Sequence, residues 1–277
     1  MIFLRFSDTT DNMRNDYVID LETKYSFDEV GGRNNLTALG VSFIGLYSYR
    51  DDKFFGFREN ELEKLNDVFE SADRVIGFNI RQFDLPVLQP HVTVNLSKIP
   101  TLDIFEDVTA RLGHRIGLDS LSKATLGAAK FGHGLDSLKW YRAGDWEQLE
   151  RYCLQDVRLT RDLYEFGKAN GHLLFDSIID GKRVAVPVKW GFSSEDEIRK
   201  RAEEAVLKNM ALEIEYVSRE DAGDGYHKKR KIEVRKIFDD TIEAYCHLRK
   251  DVRNFRIGRI LEARLLDEPA GSVQTLF

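Results

Sequence analysis

Two carboxylates stand two residues apart, Asp20 and Glu22, inside the stretch YVIDLETK (17–24), where Tyr17, Val18, Ile19 and Leu21 are apolar. In a strand, residues i and i+2 point to one side, so this spacing sets the two acids next to each other. Their charges repel, and an ionised carboxylate buried without a partner is expensive. A divalent cation removes both objections. An edge strand with two solvated acids would show the same pattern, and D-x-E alone does not separate the two readings.

Two further stretches carry residues of the same kind. In VIGFNIRQFDLPVL (75–88), a strand runs into Asn79, and Asp84 stands just before Pro86, a residue favoured in the first turn of a helix. Asp84 is there either a helix cap or a functional acid. In LERYCLQDVRLTRDLYEF (149–166), Tyr152 and Asp156 are four apart and share one helix face. A phenol that can bond a water, beside an acid, suits hydrolysis. A tyrosine at the rim of the core beside a solvated acid is the plainer alternative.

The elements that must position these residues alternate. DYVIDLE (16–22), LTALGVSFIGLYSY (36–49) and DKFFGF (52–57) read as three successive strands. A helical segment (59–71), a short strand RVIGF (74–78) and a helix from about Asp84 follow. The period is helical over 118–170, with breaks at KFGHG (130–134) and RAGD (142–145). This order predicts an α/β domain built on a mixed sheet. Residues 176–195 read as a linker or short hairpin.

D-x-E on the first strand, N-x(4)-D at a helix start and Y-x(3)-D on a late helix match, in this order, the three motifs of the DEDD superfamily in its tyrosine variant. Residues 16–170 resemble these 3′–5′ exonucleases of the ribonuclease H-like fold. GFNIRQFDLPVL and DWEQLERYCLQDVRLTRDLY are similar to the branch near family B polymerase proofreading domains and helicase-linked exonucleases. The resemblance implies two ions, Mg²⁺ or Mn²⁺, with Asp20, Glu22 and Asp156 on one. Asp20 would bridge to the second, which Asp84 would support directly or through water. It further implies that Tyr152 orients the attacking water and that Asn79 is a substrate contact. Hard carboxylate oxygens suit these metals, and a phenol of pKa about 10 is a poor base at neutral pH.

Composition bounds the rest. A chain of 277 residues predicts two domains. Cys153 and Cys246 are far apart and lack a metal-type spacing, so neither a disulfide framework nor a zinc site is expected. No stretch approaches the roughly 18 apolar residues of a membrane span. MIFLRFSDTTDN is too short an apolar run for a secretory signal, so a cytoplasmic location without a membrane partner is expected. Residues 1–175 carry 21 Lys and Arg against 27 Asp and Glu, whereas 176–277 carry 20 of each, with 227–264 clearly basic. Such asymmetry predicts two surfaces with different tasks.

In that second part, a helix (194–210) precedes four segments that read as strands: 211–220, 228–240, 241–251 and 252–266. A small, mostly β barrel is predicted. Arg249, Arg253, Arg256 and Arg259 interleave with Tyr245 and Phe255, a mixture suited to phosphate contacts and base stacking. IEAYCHLRKDVRNFRIGRILEARLL resembles the WYL domain, although Asp240-Thr241-Ile242 stands where that family's naming tripeptide falls. The likeness implies an Sm/SH3-like barrel that binds nucleic acid or a nucleotide-type ligand, with self-association through this domain as a further expectation. Tyr216, Tyr245, His247, Arg249, Arg253, Arg256 and Arg259 are the expected contacts.

The expected organisation is therefore an exonuclease domain over 1–175, a linker over 176–200 and a WYL domain over 201–277. The expected activity is metal-dependent 3′–5′ hydrolysis of nucleic acid, single-stranded or with a free 3′ end, DNA favoured. A catalytically silent nucleic-acid-binding regulator and an exoribonuclease are the alternatives.

Overall fold

The computed structural model describes residues 14–271 apart from 130, 131, 133, 221, 222 and 224. Part of the expected break at 130–134, and part of the connection between the expected strands 211–220 and 228–240, therefore lie outside the described residues. The chain divides into two compact units, the first ending at Glu165 and the second starting at Phe166.

The first unit is built on a mixed sheet. Strands β1 (Asp16–Thr23), β2 (Val41–Ser48) and β3 (Lys53–Arg58) form an antiparallel meander. β4 (Arg74–Gly77) adds to β1 in parallel, and β5 (Thr101–Asp103) adds to β4. The order β3-β2-β1-β4-β5 places β1, the strand of Asp20 and Glu22, at the centre. A central strand is covered on both faces, which is why β2 is buried along its whole length beside it. Helices α1 (Leu65–Glu70), α2 (Asp84–Leu88), α3 (Ile104–Leu112), α4 (Leu118–Leu126), α5 (Gly134–Ala143) and α6 (Trp146–Asn170) complete the region. This is the mixed sheet flanked by helices that the motif order predicts. β5 and α3 were not foreseen, because a strand of three residues that passes directly into a helix shows no alternating pattern. The segment 59–71 opens as a 3-10 helix over Glu59–Lys64 before α1 begins.

The second unit is strand-rich. A hairpin of β6 (His172–Asp176) and β7 (Arg183–Pro187) precedes α7 (Glu195–Lys208), whose Ser194 and Glu197 form a reciprocal capping box. The segment 176–200, expected as a linker, thus contains β7 and the start of α7. β8 (Met210–Val217), β9 (His227–Ile237), β10 (Thr241–Cys246), β11 (Asp251–Arg256) and β12 (Ile260–Pro269) make an antiparallel sheet of order β11-β10-β9-β8-β12. Residues 252–266, read from sequence as one strand, are two. A 3-10 turn at Ile257–Arg259 separates β11 from β12, which occupy opposite edges of the sheet. A three-residue connection can join opposite edges only if the sheet curls to bring them together, so the sheet is a small barrel. Its core is Leu212, Ile214, Ile232, Ile242, Ala244, Cys246, Phe255 and Ile260, against Ile198, Ala202 and Ala205 of α7.

Candidate active site

Asp20 and Glu22 lie on one face of β1, opposite Gly45 and Phe43 of β2 in the antiparallel register. Helix α6 crosses at this point. A Cβ on Gly45 would come to 2.9 Å from Val157 Cγ2, 3.1 Å from Leu154 Cδ2 and 3.2 Å from Cys153 Sγ. Only glycine allows α6 to lie this close to the sheet. Three contacts outside the site fix the helix. Arg58 on β3 donates to Glu150 at 2.7 Å, Arg74 on β4 donates to the Tyr164 hydroxyl at 2.8 Å, and Tyr49 donates to Glu165 at 2.7 Å. The helix thereby holds Tyr152 and Asp156, both 3% exposed, within the protein.

The third component arrives through the turn after β4. Asn79 adopts φ 68°, in the left-handed region that Asn tolerates better than most residues. Its amide donates to Asp103 Oδ1 at 2.9 Å, and the Arg81 amide donates to Asp103 Oδ2 at 3.0 Å. Asp103 also accepts from the Glu106 amide at the start of α3. This buried carboxylate, at the end of β5, moulds the turn that delivers Asp84. Sequence reading missed it, although Asp103 followed three residues later by Glu106 is a helix-start signature. Asp84 itself does not cap α2. It is the first helical residue, and its Oδ1 accepts the Leu21 amide at 3.1 Å. The peptide between Asp20 and Glu22 thus holds the acid at the head of α2.

Electrostatics reports the same convergence. Burial, and then the charges of Asp103 and Asp156, push the Asp84 carboxyl up to about 7, against the opposing pull of the Leu21 amide. Burial, followed by the charges of Asp156, Glu22 and Asp20, raises the Tyr152 phenol well above its ordinary value. At neutral pH Tyr152 is therefore a hydrogen-bond donor and not a base. The phenol ring packs on Trp140 of α5 at 5.6 Å between centroids. Cys153, which the cysteine spacing gave no metal role, has a donor atom within 4.8 Å of those of Asp20 and Glu22. Burial and the neighbouring acids raise its thiol too, and the Sγ–H donates to the Asp20 carbonyl at 3.2 Å. A neutral thiol spent on a backbone carbonyl acts as packing and support for β1. The remaining donors of that group are the carboxylate oxygens of Asp20 and Glu22, and Asp84, raised by burial and then by the charges of Asp103 and Asp156, is a further acid held beside them on the Leu21 amide. Two carboxylates so placed can hold a hard divalent cation.

Two clefts open at these acids. One, about 530 Å³, is lined by Asp20, Arg33, Asn79, Gln82, Phe105 and Arg115 among others. The other, about 600 Å³, touches Glu22, Thr23, Ser137 and Leu138. They share Phe27, Arg33 and Phe83. Phe27 and Phe83 meet edge to face at 5.9 Å, and Phe78 lies 5.5 Å from Phe105. Arg33 stands over Phe27 and Arg115 over Phe105, at 5.1 and 5.5 Å from the ring centroids. Of these groups the sequence singled out Asp20, Glu22 and Asn79. The others are ordinary aromatics and arginines whose proximity arises from the fold.

A model of the RNase_H superfamily matches residues 19–166, which is more than half of the chain. The chain belongs to the RNase_H superfamily. No curated protein matches it. Among solved structures it is similar to proteasome accessory factor B/C (PafBC) of Arthrobacter aurescens, at 17% identity over 57% of this chain and 21% of that one, with a TM-score of 0.25. The chain thus spans about a fifth of that protein's length. No helix among the described residues is long and apolar enough to cross a membrane.

In this RNase_H superfamily protein, Asp20, Glu22, Asp84, Tyr152 and Asp156 all fall inside the matched span; donor atoms of Asp20 and Glu22 lie within 4.8 Å of one another, Asp156 is near enough to both Tyr152 and Asp84 to raise them, and Asp84 holds the Leu21 amide. The seven residues singled out in the second unit do not form one face. Tyr216 stands on the core face of β8, and Arg253, paired with Ala244, shares that face of the sheet. Tyr245 and His247 point to the opposite face, where their rings meet at 5.3 Å and His247 Nε2 lies 2.8 Å from Glu233. Arg256 alternates with Phe255, Arg249 is in the exposed turn after β10, and Arg259 donates to the Val217 carbonyl at 3.0 Å from the 3-10 turn.

Proposed function

We propose that this protein is a two-metal-ion 3′–5′ exonuclease of the tyrosine DEDD type, acting on single-stranded nucleic acid with DNA favoured, and that its strand-rich unit is a WYL domain. The observation that carries the reading is the convergence of Asp20, Glu22 and Asp156 around one protonated phenol, with Asp84 held on the peptide between Asp20 and Glu22. Asp20, Glu22, Asp84 and Asp156 would hold the ions. When bound, the ions supply charge stabilisation to both the attacking and the leaving oxygen of an in-line phosphodiester displacement. Tyr152, kept protonated by burial and by its acidic neighbours, donates a hydrogen bond that orients the attacking water. Phe27, Phe83, Phe78 and Phe105 offer rings on which terminal bases stack, while Arg33 and Arg115 meet backbone phosphates. The exonuclease function is assigned to 1–175 and the WYL function to 201–277.

Degradation of 5′-labelled and 3′-labelled single strands of DNA and RNA, with Mn²⁺ or with EDTA, tests this. A ladder shortening from the 3′ end, only with metal, is expected, with DNA degraded faster than RNA. Cleavage of a circular single strand would overturn the exonuclease assignment. Preference for RNA would reassign the substrate, and no cleavage under any condition would leave a binding protein.

A further inference from the structure

Tyr152 lies in a slot that α6 does not build alone. Helix α5 ends at Ala143, and the chain turns through Gly144 and Asp145 into α6. The Asp145 amide donates to the Trp140 carbonyl at 2.8 Å, and the Asp145 carbonyl accepts from the Leu149 amide, so one residue closes α5 and opens α6. This turn brings Trp140 of one helix back to Tyr152 of the other, with ring centroids 5.6 Å apart and planes at 56°. Such tilted contacts are among those that aromatic rings prefer. Gly132 supplies a further wall. A Cβ at this position would stand 3.0 Å from Trp140 Cη2 and 3.6 Å from Tyr152 Cδ2, so the main chain lies against both rings.

The element that carries Trp140 is itself fixed on several sides. Arg142 donates to Glu29 at 2.6 Å, the Tyr141 hydroxyl donates to Glu59 at 3.4 Å, and the Tyr141 ring meets Trp146 edge to face at 5.8 Å. Trp140 packs against the buried cluster of Phe43, Leu149 and Cys153 that joins α6 to the sheet. The same helix presents Leu135, Ser137 and Leu138 to the cleft beside Glu22. One element thus references both the phenol and a wall of the cleft. A phenol needs such a reference. Its oxygen sits at the far end of the ring, so a small rotation about χ1 displaces it further than any other atom of the side chain. Helix sterics choose the χ1 well, but χ2 of tyrosine has only broad preferences of its own. The ring plane sets where a phenolic O–H points, and neighbouring rings set that plane.

We infer, taking the exonuclease reading as the basis, that Trp140 is a positioning residue for the hydrolytic step: its indole, with the Gly132 main chain, holds the Tyr152 ring in the orientation from which the hydroxyl meets the attacking water. Because Tyr152 acts as a hydrogen-bond donor and not as a base, the direction of its O–H decides its value. A misplacement of about 1 Å can cost about 10²-fold in rate, so a phenol released from this slot loses most of what its hydroxyl contributes.

A double-mutant cycle on the full chain, in steady-state assays with Mn²⁺ and the preferred 5′-labelled single strand, tests this. Trp140→Ala should lower kcat by about tenfold or more with KM little changed. The loss should not exceed that of Tyr152→Phe, since it acts through that hydroxyl. In the Tyr152→Phe background, the same substitution should change kcat by about twofold or less, the non-additivity of two residues that act as one. Trp140→Phe, which keeps a ring against the phenol, should retain most of the wild-type kcat. Urea melts show which variants are folded under assay conditions; if Trp140→Ala is not, Trp140→Leu takes its place in the cycle. Equal losses in the two backgrounds would make Trp140 a residue of the fold alone. A raised KM with unchanged kcat would make it a substrate contact. Either result overturns the assignment. Absence of hydrolysis by the wild type would instead refute the exonuclease reading, and the positioning role with it.

Discussion

The Leu21 amide donates to Asp84 Oδ1 at 3.1 Å, so the peptide between the two acids of the central strand fastens the acid that begins α2. Positions 63 residues apart become one cluster through this bond. It partly offsets the burial and the charges of Asp103 and Asp156 that hold Asp84 near 7.

Metal-free stability should therefore depend on pH through Asp84. Its folded value, about 7, lies above its ordinary 3.8. Below the ordinary value both states carry the proton and the group contributes nothing. Between the two values the folded state holds a proton that the unfolded state has released, so stability falls as pH rises, and the full loss is present above 7. Asp84→Asn retains an oxygen for Leu21 and cannot ionise. In EDTA at pH 8 it should melt several degrees above the wild type, with the difference vanishing near pH 4. Equal melting temperatures at pH 8 would count against this assignment.

Asp20→Asn should abolish hydrolysis, by about 10³-fold or more, with an unchanged far-UV spectrum, because it removes a ligand common to both proposed ions. Tyr152→Phe deletes only a hydrogen-bond donor and should lose about 10²-fold or less. Single-turnover rates on a labelled strand rank the two. A larger loss for Tyr152→Phe would reverse their roles.

Gly45→Ala tests positioning. The added methyl meets Val157, Leu154 and Cys153 within 3.2 Å, so α6 must retreat from β1 and carry Tyr152 and Asp156 with it. Overpacking of this kind costs about 1–3 kcal/mol. We expect kcat to fall while KM changes little, since the clefts are lined by other elements. Urea melts and steady-state kinetics read the two effects separately.

Arg33→Ala and Arg115→Ala address the clefts. Each should weaken binding of a single strand in EDTA and reduce the slope of log K against log salt by about one, the share of one phosphate contact. Unchanged slopes would place the backbone elsewhere.

The residues proposed to do the chemistry could be picked out from the sequence alone. Asp20, Glu22, Asp84, Tyr152 and Asp156 were legible because each is an unusual residue in an apolar, periodic setting, and local periodicity sets which face of a strand or helix it occupies. The mixed sheet was legible for the same reason. What surrounds them is set by long-range packing. Asp103 looks like any helix-start acid until the turn at Asn79 folds onto it, and Arg33 and Arg115 come to the clefts from chain segments far apart. In the barrel, the stretch 252–266 carries an unbroken strand-like pattern, and the turn at Ile257–Arg259 is set by closure of the sheet. That closure scatters the expected arginines over two faces and encloses Arg230, which in sequence is one more cation in a basic run. Such facts depend on which strands become neighbours, a property of long-range packing that spacing along a chain does not encode.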